Sequence, residues 1–246
     1  AVEADLLEEL ARVYGYDRLP TSRIRTDLVM PRQPEDTLSE RRLRSHLAAR
    51  GYREAITYSF VDPSLQQLFD PDMAPVALAN PISADMAVMR TSLIPGLVAT
   101  AVHNRNRQQS RVRLFETGLR FLPAGDALAQ TPTLAVLICG DRLPESWSSA
   151  AASADFYDLK GDLQSLLALT GNGDAFEFSA ASRPGLHPGQ TARISRDGAP
   201  VGFIGTLHPT VAGELGLTVS VCVCELDLES VRSARLPSFA ELSKFP

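Results

Sequence analysis

The sequence has 246 residues, of which 44% are hydrophobic and 22% are charged, and its formal net charge is −5. This length and composition are typical of one large or two modest globular domains that fold without disulfides or metals. The negative net charge argues against electrostatic binding of nucleic acid over the whole surface, and no apolar run approaches the roughly 20 residues that a membrane-spanning helix requires.

The chain starts within a helical pattern. In residues 3 to 14, Leu6, Leu10 and Val13 recur at helical spacing and form an apolar stripe. Gly15 follows as a candidate C-cap. Because the sequence has no initiator methionine and stops abruptly after LSKFP, we expect it to be a fragment of a longer polypeptide.

A polar connector, residues 21 to 36, separates this helix from a second one. Residues 37 to 50 predict an amphipathic helix that is capped by Thr37 or Asp36 and stopped by Gly51. The residues predicted to face inward are Leu38, Leu43 and Leu47.

Alternating residues predict a strand directly after this second helix. In residues 52 to 60, Ile56, Tyr58 and Phe60 fall on one side. Further helices are predicted over 62 to 69, 94 to 108 and 156 to 171. Further strands are predicted over 76 to 80, 111 to 121, 133 to 140, 176 to 179, 191 to 195, 199 to 207 and 220 to 228.

The predicted elements indicate an α+β fold. Asp197 and Gly198 join two predicted strands with a strong hairpin signal, and the chain lacks the βαβ alternation of a parallel sheet. The predicted architecture is an antiparallel sheet flanked by helices.

The three cysteines are predicted to be apolar core residues of a reduced, cytoplasmic protein. Cys222 and Cys224 share one face of a predicted strand, and neither they nor Cys139 have histidine or cysteine partners at zinc-ligand spacing.

Two charged stretches have alternative interpretations. The basic stretch 103 to 113 either contacts RNA phosphates or a partner chain, or forms a solvated helix face and strand edge. Its basic residues are His103, Arg105, Arg107, Arg111 and Arg113. The acidic residues Asp5, Glu8 and Glu9 share one face of the first helix, where the helix dipole alone favours acidic side chains.

Six segments occur in the same order as in one known family. They are EADLLEELARVYGYDRLP, NPISADMAVMRTSLIPGL, RLFETGLRF, FYDLKGDLQSLL, HPGQTARI and the terminal LSKFP. On these segments, nearly the whole chain resembles the beta subunit of bacterial phenylalanyl-tRNA synthetase.

This resemblance implies a domain organisation and a set of partners. Residues 1 to 19 would be the tail of a small DNA-binding-like domain of the B5 type, and residues 20 to 246 a catalytic-like module with the antiparallel sheet of class II synthetases. The full enzyme would be an α2β2 tetramer acting on tRNA(Phe), in which the alpha subunit uses ATP to form the adenylate. Asp5, Glu8 and Glu9 would be ligands of a magnesium ion shared with the alpha subunit, in a site that is incomplete in this chain.

The resemblance also raises the question of whether this module does chemistry. Class II enzymes bind ATP through an arginine and a glutamate on a strand, and through an arginine on a helix after a glycine-rich strand. RLFETGLRF supplies Arg113, Glu116 and Arg120 with altered spacing, and APVGFIGTLHP has no arginine after its glycines. We therefore predict a non-catalytic structural and interface module without catalytic residues. The alternative is an independently active class II ligase in which Arg111, Arg113 and Arg120 bind ATP.

The predicted interface with the alpha subunit consists of helix 37 to 50 and strand 52 to 60. The leucine stripe described above would be buried against the partner. Burial of two or three such leucines would contribute several kilocalories per mole to the free energy of association. Arg41, Arg42 and Arg44 would form the rim. Without the alpha subunit, the same surface would be open to a second copy of the chain, giving a homodimer.

Overall fold

A computed structural model of the chain describes residues 2–23, 25–27, 29–30, 34–125, 127–148 and 150–236. Contacts between residues divide the chain into two units, Ala1–Pro34 and Glu35–Pro246. The terminal LSKFP lies outside the described residues. Within the described ranges, no helix combines the length and the apolar character needed to cross a membrane.

The first unit contains helix α1 (Glu3–Tyr14), as the sequence predicts, and α1 ends at Gly15, whose φ is +99°. The second unit contains the other helices, α2 (Glu40–Ala49), α3 (Pro63–Phe69), α4 (Ile94–Arg105), α5 (Phe156–Leu167), α6 (Pro209–Glu214) and α7 (Leu228–Arg232). Its strands are β1 (Arg53–Glu54), β2 (Phe60–Val61), β3 (Val88–Met89), β4 (Arg111–Ala124), β5 (Ala127–Gly140), β6 (Phe176–Ala180), β7 (Leu186–Arg196), β8 (Ala199–Leu207) and β9 (Val221–Asp227).

The second unit is built on a seven-stranded sheet with the order β1-β4-β5-β9-β8-β7-β6. Only the two-residue β1 runs parallel to its neighbour β4, and every other pair in this sheet is antiparallel. A separate two-stranded sheet pairs β2 with β3. The predicted α+β class is therefore confirmed.

Two apolar layers cover the two faces of the sheet. On β9, Cys222 and Cys224 point to the layer that also contains α2, α5 and α7. Val221 and Val223 point to the opposite layer, which contains α3, α4 and α6. This alternation is the period of two that a strand imposes, and it confirms that both cysteines face one core.

Helix α2 differs from its prediction at its N-terminus. Ser39 is the N-cap, and its Oγ accepts a hydrogen bond from the N–H of Arg42 at 3.3 Å. The predicted caps Thr37 and Asp36 are wrong because these residues are tied to the segment after α7. The N–H of Ala234 donates to the carbonyl of Asp36, and Thr37 forms a β-bridge with Ser233.

The leucine stripe of α2 is not an interface. Leu38, Leu43 and Leu47 are 5%, 0% and 0% exposed, and they belong to the core layer beneath α5. The prediction that these side chains cover a partner chain is wrong, since they have no surface left to bury.

The single strand predicted over 52 to 60 is also wrong, because pairing stops after Glu54. The N–H of Ala55 still donates to the carbonyl of Phe115, but the N–H and Oγ1 of Thr57 donate to the side-chain carboxylate of Glu116. Ile56 and Tyr58 are consequently 92% and 65% exposed. The predicted strand 76 to 80 is reduced to a single bridge at Ala77.

Gly140 is the last residue of β5, and its backbone adopts a conformation that favours glycine. Its φ is +79°, and a Cβ there would lie 1.8 Å from the carbonyl oxygen of Ser110. Gly140→Ala is expected to lower the free energy of unfolding by at least about 1–3 kcal/mol in a urea titration. Gly161→Ala is the matched control, because α5 leaves open space around Gly161 and alanine should there be neutral or stabilising. Equal stability of both variants would contradict this account.

Candidate functional site

The face of the sheet that carries α4 changes from apolar to charged along the strands. Near one end, Leu114, Leu137 and Val223 lie side by side across β4, β5 and β9. The next residues on the same face are Glu116 on β4 and Glu225 on β9, which flank Ala135 on β5. Because directly opposed residues of an antiparallel pair point to the same face, the register brings two carboxylates onto one surface.

Glu116 is neutralised by Arg90. Nη1 of Arg90 lies 2.7 Å from Oε1 of Glu116, and the two side chains are only 4% and 2% exposed. Arg90 also donates through Nε to the carbonyl of Leu119 and through Nη1 to Oγ1 of Thr57, each at 2.9 Å. The arginine therefore bridges β4 and the segment after β1.

Local backbone geometry explains why Arg90 reaches this position. The N–H of Arg90 donates to the carbonyl of Ser59, and its own carbonyl accepts from the N–H of Phe121. The guanidinium lies over Gly118, where a Cβ would be 2.5 Å from Nη2. A residue with a side chain at position 118 would displace the arginine.

Glu225 is held by the N-terminal end of α4. Its Oε2 accepts from Oγ of Ser92 at 2.6 Å and from the N–H of Leu93 at 2.8 Å. Its Oε1 lies 3.7 Å from Nη1 of Arg120 and has no hydrogen-bond partner among the described residues. Burial raises the pKa of Glu225, against the opposing effects of the Ser92 hydrogen bond and the Arg120 charge.

The raised pKa of Glu225 predicts a pH dependence of stability. Between the ordinary carboxyl pKa and the raised folded value, the folded state holds a proton that the unfolded state has lost. Stability from this group is thus present at low pH and lost as pH rises through that window. Glu225→Gln should make the free energy of unfolding decline less steeply with pH than in the parent chain, measured by urea titrations from about pH 4 upward. Parallel curves for the two proteins would contradict this.

A second charged cluster surrounds Asp162 on the opposite face of β4. The carboxylate accepts from Nε of Arg50 and the hydroxyl of Tyr52, each at 2.6 Å, and from Nη1 of Arg113 at 2.7 Å. Burial, followed by the hydrogen bond to Asp162, raises the pKa of Tyr52. Asp162 thereby connects α5, the end of α2, and β4.

The residues predicted from RLFETGLRF do not assemble into one site. Alternation along β4 sends Arg113 toward Asp162 and α5, and Glu116 and Arg120 toward the opposite face. Each of the three charges has an oppositely charged partner within this chain. Arg111 lies near Arg113, and burial followed by this like charge lowers the pKa of Arg111.

The basic stretch uses one arginine to hold its own backbone. Nη1 of Arg105 donates to the carbonyls of Gln109 and Ser110 at 2.8 Å each, whereas Arg107 makes a 3.4 Å contact with the carbonyl of His103. Contact of this stretch with tRNA or with a partner chain stays a prediction.

The acidic residues of α1 have neighbours within the helix. Oδ2 of Asp5 accepts from the N–H of Val2 at 2.9 Å, and Glu9 pairs with Arg12 at 2.6 Å. No group of three histidine, cysteine, aspartate or glutamate residues suited to a metal occurs within the described residues. The magnesium ion that Asp5, Glu8 and Glu9 would share with the alpha subunit stays a prediction.

Several residues of the charged clusters were missed as functional candidates from the sequence, among them Arg90, Asp162 and Glu225. A signal for Glu225 exists, because it interrupts the apolar run VCVCEL and so places a charge within a buried strand. Asp162 likewise interrupts an apolar helical face. Their partners, however, lie far away along the chain, so no local pattern reveals the pairs.

The chain shares its fold with a solved tRNA synthetase. A structure of PylSc, a pyrrolysyl tRNA synthetase from Desulfitobacterium hafniense, superimposes with a TM-score of 0.58 at 14% sequence identity and covers 78% of this chain and 64% of that chain. At this identity the likeness establishes a common fold.

Sequence comparison then defines the family. The profile described as phenylalanyl tRNA synthetase beta chain CLM domain matches residues 19–228, and the chain belongs to this family, as the sequence predicts. It is 54% identical to the phenylalanine–tRNA ligase beta subunit of Pseudomonas fluorescens Pf-5 and 49% identical to that of Hahella chejuensis. Each match covers 100% of this chain but 31% of the relative, so the chain spans about a third of their length.

Proposed function

We propose that the chain is a non-catalytic structural and subunit-interface module of a phenylalanine–tRNA ligase beta subunit. The observation that supports this proposal is that the charged side chains predicted for the site on β4 lie beside oppositely charged side chains of the same chain. Arg113 is paired with Asp162, Glu116 with Arg90, and Arg120 lies beside Glu225. An adenylating site needs cationic groups arranged together to stabilise the charge of the transferred phosphoryl group.

The element after the glycine-rich strand supports the same proposal. Strand β8 contains Gly202 and Gly205, and it is followed by α6, whose sequence PTVAGE has no arginine or lysine. Loss of one preorganised charge-stabilising donor typically costs about 2.7–4 kcal/mol of transition-state stabilisation. The alternative, an independently active ligase, lacks this support.

The partner of the module would be the alpha subunit, in an α2β2 enzyme that acts on tRNA(Phe) with ATP and magnesium used by the alpha subunit. The best-supported contact surface is the segment between β1 and β2. There, exposed Ile56 and Tyr58 border a groove of about 520 Å³ that also includes Met86, Pro95 and Ala99. Exposed apolar side chains around a groove are typical of protein interfaces.

Pyrophosphate exchange tests the catalytic part of the proposal. The chain alone, supplied with phenylalanine, ATP and magnesium, is expected to show no exchange above buffer. The reassembled complex of complete alpha and beta subunits is the positive control. Exchange that scales with the concentration of the chain would establish the independent ligase instead.

Substitution of Ile56 tests the proposed interface. Because the side chain is 92% exposed, Ile56→Glu should leave the melting temperature unchanged and weaken binding of the alpha subunit at least about tenfold in size exclusion and calorimetry. Any self-association of the isolated chain through this surface should weaken with it. Trp147→Glu is the matched control, since Trp147 is fully exposed in the loop before α5. Equal weakening by both substitutions would argue against this surface.

A further inference from the structure

A small basic pocket lies at the edge of the sheet, where β1 pairs with the start of β4. Its volume is about 120 Å³, well below the roughly 300–1,000 Å³ that is usual for small-molecule sites. A pocket of this size has room for one small polyatomic ion. The polar side chains that line it are Arg53, Asn104, Gln109, Arg111 and Arg113.

The arginines around this pocket outnumber the carboxylates that neutralise them. Nη1 of Arg113 and Nε of Arg50 contact the same carboxylate, that of Asp162, at 2.7 and 2.6 Å. Neither Arg53 nor Arg111 forms an ion pair with any residue that the structure describes. These four arginines therefore share one carboxylate, and the pocket keeps a positive charge.

The guanidinium group of Arg111 lies beside Gly51, which also lines the pocket. A Cβ at position 51 would be 3.5 Å from Nη2 of Arg111 and 3.7 Å from Nη1. Nε of Arg111 is enclosed by protein atoms, so a ligand would meet Nη1 and Nη2 instead. Burial followed by the like charge of Arg113 lowers the pKa of Arg111. A bound anion would offset the repulsion between these two arginines.

The end of α4 next to the pocket has an opposing effect, because the C-terminal end of a helix carries a partial negative charge. Arg105, the last residue of α4, counteracts it. Nη1 of Arg105 donates to the carbonyls of Gln109 and Ser110 at 2.8 Å each. The full positive charge of Arg105 exceeds the partial charge of the helix end, so the surroundings of the pocket stay positive.

A compact dianion matches this arrangement. Two arginines without a carboxylate supply two positive charges, and guanidinium groups bind phosphate oxygens through pairs of N–H donors. We infer that the pocket binds a phosphate-sized oxyanion with two negative charges, held between the guanidinium groups of Arg53 and Arg111. Arg113 strengthens the attraction while it keeps its own partner Asp162.

Size and charge favour a free phosphate ion over the backbone of RNA. A phosphodiester carries one negative charge and has a nucleoside on each side, whereas the pocket has room for about one phosphate group. Binding of free phosphate goes beyond the proposed interface function and does not depend on it, since neither a partner subunit nor a nucleotide takes part.

Calorimetric titration of the 246-residue chain with sodium phosphate tests this site. At about pH 8, where phosphate is mainly a dianion, and at constant ionic strength, the Kd should be at or below about 1 mM. Dimethyl phosphate carries one negative charge and should bind at least about tenfold more weakly. The melting temperature should rise with phosphate and not with chloride of equal ionic strength.

Variants locate the binding in the pocket. Arg111→Met and Arg53→Ala should each weaken phosphate binding at least about tenfold, because each removes one charged donor. Arg53 is exposed, so its effect on binding is separable from a folding defect. Arg193→Ala is the matched control. It removes an exposed arginine from β7, on the far side of the sheet, and should leave the Kd unchanged.

Several results would overturn the inference. The folded chain would bind no phosphate, or dimethyl phosphate would bind as tightly as phosphate, or Arg111→Met and Arg53→Ala would leave the Kd unchanged. Equal weakening by Arg53→Ala and Arg193→Ala would show that net charge rather than the pocket attracts the ion. An RNA oligonucleotide without terminal phosphates that binds more tightly than phosphate and requires Arg111 would identify a contact for the RNA backbone instead. Pyrophosphate exchange and binding of the alpha subunit are measured separately, so the proposed function is tested independently of this site.

Discussion

Replacement of Arg90 by methionine is expected to lower the free energy of unfolding by about 3–5 kcal/mol. The substitution keeps most of the aliphatic length but leaves Glu116 buried and without its cation, and removal of one partner from a buried pair has an effect of this size. It also removes the donor to the carbonyl of Leu119. Urea denaturation followed by circular dichroism measures the change.

A double variant distinguishes charge burial from lost packing. Arg90→Met combined with Glu116→Leu removes both charges, and buried pairs replaced by apolar groups are often nearly neutral or stabilising. The double variant should therefore recover a large part of the loss. Glu229→Ala is the surface control, because its pair with Arg232 is exposed and should contribute less than about 1 kcal/mol. A double variant less stable than Arg90→Met would show that packing around the pair dominates.

Elements with local signals were predictable from the sequence. The β7–β8 hairpin follows from Asp197 and Gly198, whose φ values are 49° and 80°, because a tight turn with positive φ needs only two residues. Helix α3 follows from Pro63 at its first turn, and Asp62 caps it. The burial of Cys222 and Cys224 follows from the period of a strand.

The charged clusters were not predictable because each depends on contacts between distant segments. Arg90 lies 26 residues before Glu116, and it reaches Glu116 from the segment after β3, which is held by the hydrogen bond from the N–H of Arg90 to the carbonyl of Ser59. The prediction of a strand over 52 to 60 failed for the same reason. The hydroxyl of Thr57 donates to the carboxylate of the distant residue Glu116, and no local pattern reveals that contact. Alternation separated Arg113 from Glu116, so a motif that is continuous in sequence is divided between two faces.

This division connects the structure to the proposed function. The sheet keeps the fold that it shares with a synthetase, because apolar side chains on both of its faces pack into core layers and stabilise it. The chemistry depends on a few charges, and here Arg90 and Asp162 neutralise them from outside β4. The same neutralisation is expected to contribute to stability, and under the proposed function these residues serve the scaffold rather than a reaction.

Replacement of Asp162 by alanine is the second substitution expected to have a large effect, also about 3–5 kcal/mol in the free energy of unfolding. It leaves Arg113, which is 9% exposed, without its carboxylate, and it removes the acceptor of the buried Tyr52 hydroxyl. Asp162→Asn should have a smaller effect, since an amide oxygen still accepts one hydrogen bond. Asp174→Ala, at an exposed aspartate, should change stability by no more than about 0.5 kcal/mol.

The two clusters should act independently, because Arg90 with Glu116 and Arg113 with Asp162 lie on opposite faces of β4 and share no hydrogen-bond partner among the described residues. Independent sites have additive effects within about 0.3–0.5 kcal/mol. The combination of Arg90→Met with Asp162→Asn is therefore expected to lower stability by the sum of the two single effects, measured in the same urea titration. A loss clearly smaller than the sum would show that the faces are coupled through β4, and the clusters would then form one network rather than two.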